Sequence, residues 1–134
     1  MLLIAACSAQ PGIDGFDSGE VAVGEAVLSV AVASTSSQRG QGLSGLDELP
    51  RGLDGMLFIW DAPSMTTFHM SGVGFPLDVW FFDGDGMLIG STSMPTCPDG
   101  ACTSYSTPGP VKWALETPAG DFSFAPASRL TIEG

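Results

Sequence analysis

A chain of 134 residues has room for one domain, which on folding hides about two thirds of its unfolded surface. Fifteen acids against four cations give a net charge of −11; such a surface repels phosphate backbones and anionic headgroups, and no basic patch offsets it, so nucleic acid is not an expected partner. Positive mean hydropathy excludes a disordered chain, while 18 glycines and 10 prolines disfavour long helices and point to a β-rich fold.

The chain opens on Leu-Leu-Ile-Ala-Ala-Cys, an apolar run and two small residues before Cys7. That stretch is similar to the lipobox of bacterial lipoproteins, in which the thiol receives a diacylglycerol. Only six residues precede Cys7, fewer than a signal peptide needs, so the expected start lies upstream and residues 1–7 are the remnant of the leader. Residues 8–20 are polar, Gly-rich and unpatterned, and the span 8–25 reads as a flexible tether. The expectation is an exported protein, anchored in the membrane through Cys7, on the outer face of the cytoplasmic membrane or in the outer membrane.

The folded domain is then expected over 26–134. Residues 26–34 alternate and carry β-branched side chains, which predicts a first strand. A Ser/Thr cluster before Leu43, Leu46 and Leu49 predicts a helix, kept short by Gly40, Gly42 and Gly45. Residues 55–60, Gly-Met-Leu-Phe-Ile-Trp, form an apolar run between turn signals and read as a buried strand, with 65–70 as a candidate partner.

The clearest element is a hairpin over 75–93, two apolar runs around Asp83-Gly84-Asp85-Gly86. Those carboxylates invite a calcium reading, but Met87, Leu88 and Ile89 stand where further oxygen ligands would be needed, so a turn is expected. Cys97 and Cys102 flank Pro-Asp-Gly, and in an exported protein this pair reads as a disulfide closing a short loop. Residues 111–117, 121–125 and 129–133 are three further short strands between Pro/Gly turns. The fold class is mainly β (α+β at most): a single compact barrel- or sandwich-like domain with one or two short helices.

In their order these motifs resemble the family known as domain of unknown function 192. The likeness runs from Val30 to Glu133 and includes Gln38-Arg39, Gly42-Leu43, Leu49-Pro50 and the 55–60 strand. It continues through the stretch from Phe68 to Gly86, then Tyr105, Gly109-Pro110 and residues 114–120. His69 stands where the family usually has Trp, and Ser71-Gly72 replace its Lys-Asn, so any role of that lysine is absent here. The resemblance implies a compact β-rich domain and a set of shared positions, with no assigned activity.

The candidate binding patch comprises Arg39, Phe68, His69, Met70, Asp78, Tyr105 and Glu116. Met65, His69 and Met70 are soft or borderline ligands of the kind copper prefers, with Met56, Met87 or Met94 as outside help. One histidine among six methionines argues for packing, and neither a metal nor a cofactor is expected. A hydrolase would need His69 as base, with Asp78 or Asp61 behind it, or Asp78 and Glu116 as paired carboxylates. No Gly-x-Ser-x-Gly elbow is present, and a Glu116–Arg39 ion pair is the simpler reading of the buried acid. The catalytic residues stay unassigned. The favoured reading is a non-catalytic binding module for a small molecule, a glycan or an envelope component.

Overall fold

The computed structural model describes residues 11–133, so Cys7 and its lipobox-like run lie outside the described residues. Nine strands and one helix follow in chain order: β1 Asp17–Val23, β2 Ala26–Ala33, α1 Ser36–Gln41, β3 Gly55–Ser64, β4 Thr67–Phe68, β5 Leu77–Phe82, β6 Leu88–Met94, β7 Tyr105–Ser106, β8 Val111–Pro118 and β9 Leu130–Glu133. No helix among the described residues is long and apolar enough to cross a membrane.

Seven strands make one sheet in the order β6-β5-β8-β3-β2-β1-β9. The sheet curls until its edges meet: Met87 bridges Arg129, Leu88 N–H donates to Ser128 O, and Leu130 N–H donates to Gly86 O. Closure satisfies edge backbone groups that would otherwise offer a pairing template to another chain. The barrel-like β fold is as expected from the Gly/Pro-rich, alternating sequence.

The tether ends earlier than the sequence suggested. Asp17–Val23 pairs with β2 along its whole length and with β9 on its other side. Val21 and Val23 are fully buried there, so their alternate spacing marks a strand embedded in a run otherwise polar enough to resemble a linker.

β2 and β3 are parallel neighbours, which forces a crossover between them. That crossover carries α1 and lays residues 34–54 over one face of the sheet. The helix is short, as the glycines required, and is held by a capping box: Thr35 Oγ1 accepts from Gln38 N–H, and Gln38 Oε1 accepts from Thr35 N–H. Gln38 Nε2 also donates to Gly15 O, fastening the entry of the chain to the helix.

Strand alternation sorts the apolar residues onto two faces. Val21, Leu28, Val30, Leu57, Phe82 and Leu115 pack on one. Ala31, Met56, Phe58, Val79, Phe81 and Ala114 pack on the other, where Leu43, Phe68, Met70 and Val73 cover them. Gly55 starts β3 hard against β8: a Cβ there would run into the Glu116 carbonyl oxygen, so only glycine allows this approach.

The hairpin β5–β6 forms as predicted, and Asp83 Oδ1 accepts from the backbone N–H groups of Asp85 and Met87 at 2.9 and 3.0 Å, making the Asp-Gly-Asp-Gly stretch a turn. Two predicted pairings differ. Residues 65–70 do not pair with β3; Thr67–Phe68 pairs with Tyr105–Ser106 in a separate two-stranded ribbon. Residues 121–125 form no strand: Phe122 and Phe124 stack at 6.0 Å, and Phe124 meets Trp80 edge-on at 4.7 Å. Their alternation serves side-chain packing without a backbone partner. The disulfide Cys97–Cys102 is present.

Candidate functional site

Where β3 passes Ile59 it leaves its register with β8 and regains it only at Ser64. The splayed segment, α1 with its following turn, and β4 bound a cavity of about 330 Å³. Leu43, Phe58, Phe68, Val73 and Glu116 are the buried part of its lining; Arg39 and Trp60 are half-buried, and Ser36, Gly40, Thr67 and His69 are exposed at the rim. The rings of Phe58, Trp60 and Phe68 stand in mutual contact, with Phe68 edge-on to both others at 5.3 and 6.1 Å. Such edge-to-face pairs stabilise by about 1 kcal/mol each beyond the area they bury and make a rigid wall.

Glu116 lies on the central strand β8, between Met56 of β3 and Val79 of β5. It is 4% exposed. Among the described residues no hydrogen bond reaches its carboxyl, yet no wholly enclosed side-chain nitrogen or oxygen is left unpaired. Its oxygens therefore open onto the cavity. Burial among apolar neighbours disfavours the charged form and raises its pKa from 4.5 to about 8, so the group is chiefly a neutral acid at pH 7.

The expected Arg39–Glu116 ion pair does not form. Arg39 Nη1 donates to Ser34 O and Ile59 O at 2.9 and 2.8 Å, clamping the helix to β3 where that strand departs from β8. The guanidinium lies over the Trp60 ring at 5.5 Å, and Nη2 has only a 3.5 Å contact with Ser36 Oγ. The positive charge thus has no carboxylate partner among the described residues.

His69 accepts Ser71 N–H at Nδ1, 3.2 Å away, which leaves Nε2 as the nitrogen available at the rim. Of the remaining patch residues, Asp78 is elsewhere. It sits one residue before Val79, so strand alternation directs it to the opposite sheet face from Glu116. There it accepts from Ser93 Oγ and Gly120 N–H, which removes the paired-carboxylate geometry. Met70 and Tyr105 line a second cavity of about 230 Å³ beside the disulfide loop. Met56, Met70 and Met94 are at most 2% exposed in the apolar cluster, which makes them packing residues.

The sequence reading therefore brought four of its seven patch positions to one cavity: Arg39, Phe68, His69 and Glu116. It missed Phe58 and Trp60, whose i, i+2 spacing in the 55–60 run was the available signal. A family model, that of DUF192, described as an uncharacterised ACR, matches residues 20–128. The chain belongs to this family. The DUF192 match begins ten residues before the likeness read from motifs alone, in β1. Two solved structures are similar. One, a protein of unknown function from Novosphingobium aromaticivorans DSM 12444, is 26% identical with a TM-score of 0.78, covering 98% of this chain and 99% of that one. The other, a proposed transcription regulator from Sinorhizobium meliloti 1021, is 26% identical with a TM-score of 0.75, covering 87% of this chain and 95% of that one. Among curated proteins no relative matches.

Proposed function

We propose that this DUF192 protein is a ligand-binding module of the cell exterior, held to a membrane by a lipid on Cys7, which takes a small molecule or glycan unit in the cavity above Glu116. One observation carries the reading: a cavity walled by three aromatic rings and floored by a buried acid with no protein partner among the described residues. A buried polar group without a partner is costly unless something else satisfies it. Aromatic walls with a few convergent polar groups are what small-ligand sites ordinarily present. Support for export comes from the lipobox-like run before Cys7 and from the Cys97–Cys102 disulfide, a bond that persists in oxidising compartments. The description of the Sinorhizobium protein as a transcription regulator carries little weight here, since a net charge of −11 repels DNA.

The test is a thermal-shift screen of sugars, organic acids and copper salts against the wild-type chain and Gly40→Leu. Gly40 lines the cavity rim and a Cβ there meets nothing within 4 Å, so leucine fits without straining the fold and is designed to plug the mouth. Binding in this cavity raises the melting temperature of the wild type and not of the plugged variant. A shift that survives the plug, or no shift with any class, overturns the reading.

The hydrolase reading retains Glu116 and His69, which share the cavity, and loses Asp78. Turnover of a glycan that Glu116→Gln abolishes would favour it.

A further inference from the structure

The ionisable groups lining the cavity are Arg39, His69 and Glu116, and none of them is paired with another. Of the acids on adjoining elements, Asp54 accepts from Ser29 N–H and Asp78 from Ser93 and Gly120, while Asp61, next to Trp60 on β3, and Asp47 and Glu48, beyond α1, are exposed and do not line the cavity. With Glu116 neutral, the cavity is a locally positive site on a molecule of net charge −11. Arg39 keeps part of its donor fork free, because both recorded backbone bonds run from Nη1. A protonated carboxyl is itself a donor, and it offers most to an acceptor that cannot donate. A flat or ring-shaped body fits the wall of Phe58, Trp60 and Phe68.

We infer that the cavity takes a small organic carboxylate with a planar apolar body, held by donors from Glu116, Arg39 and the His69 rim. This deepens the binding reading above and rests on it. The opposite assignment, an organic cation over the aromatic rings paired with an ionised Glu116, is the natural competitor. It suffers from Arg39 at the same mouth and from the missing negative charge.

The two are told apart with benzoate and benzylammonium, near-isosteric probes of opposite charge. Each is titrated into the wild-type chain and Glu116→Gln, following the Trp60 indole and the single histidine by NMR. Benzoate is expected to shift both signals and benzylammonium neither. Because the bound anion requires the protonated acid, benzoate affinity should fall about tenfold from about pH 7 to about pH 9, the raised pKa being about 8. Glutamine keeps a donor at every pH, so Glu116→Gln should still bind benzoate and lose that step; His69 is common to both proteins and cancels.

Benzylammonium binding that strengthens with pH and vanishes in Glu116→Gln would overturn the inference in favour of a cation site. Benzoate binding with the same pH profile in both proteins would overturn the role of Glu116. If neither probe perturbs Trp60 while a sugar gives a shift that Gly40→Leu removes, the carboxylate class is wrong and the binding module stands. If the plugged variant also makes no difference, both readings fall.

Discussion

At the scale of single residues, Glu116 stands out because its environment opposes its charge. Flanked by Met56 and Val79 on the central strands, it gains no compensating cation, since Arg39 is turned by its Nη1 bonds to the Ser34 and Ile59 carbonyls and makes no ion pair with it. Its folded-state pKa of about 8 lies above its ordinary value of 4.5, so the folded state holds the proton more tightly than the unfolded one. The stabilisation this provides is fully present below about pH 4.5 and is lost as pH rises through about 8. Glu116→Gln removes this dependence. Urea denaturation should show the difference in stability between wild type and Glu116→Gln shifting against the wild type by about 1.4 kcal/mol per pH unit at its steepest across that window. Parallel pH profiles for the two proteins would mean the carboxyl is already solvated. The sequence held the signal for Glu116, a charge set in an apolar strand. It held no signal for the partner, because whether Arg39 reaches an acid or a carbonyl depends on where β3 leaves β8.

Among the elements, the disulfide loop and the splayed end of β3 show local pattern and tertiary context deciding different things. Cys97 and Cys102 are close in sequence and flank a turn, so their bond was legible from spacing alone. Closing so short a loop restrains the unfolded chain little, and Cys97→Ser with Cys102→Ser should cost about 2 kcal/mol in a denaturation experiment. The cavity above Glu116 should keep its ligand response, since the loop lines the other cavity with Met70 and Tyr105. A loss well above that figure would show the loop packing as a structural unit. By sequence alone the segment from 65 to 70 is a candidate partner for β3, its neighbour in the chain. It pairs instead with Tyr105–Ser106, far away in sequence, and it is this long-range ribbon that sets Phe68 against Phe58 and Phe81.

For the molecule as a whole, closure of the sheet is what makes β1 indispensable. β1 sits between β2 and β9, and β9 in turn reaches the start of β6 through Met87 and Arg129. Deleting β1 would leave β9 with only its end contacts near Met87 and expose the surface that Val21 and Val23 cover. A chain beginning at Ala26 should therefore show no cooperative thermal transition by circular dichroism, in contrast to the full chain. Cooperative melting of the shorter chain would restore the tether boundary at residue 25.

Composition and alternation by themselves determined the β-rich class, the short helix, the 75–93 hairpin, the disulfide and the unusual acid in β8. Each of these depends on residues close together in the chain, where steric limits on φ and ψ and the two-residue period of a strand act directly. Tertiary structure alone decided that Asp78 and Glu116 face apart, that Arg39 clamps a strand, and that Phe58, Trp60, Phe68 and Glu116 enclose one cavity. These outcomes turn on strand register and on a crossover between parallel neighbours. Register is fixed by how two distant segments pack, and a shift of one residue in a strand would turn all of that strand's side chains to the other face.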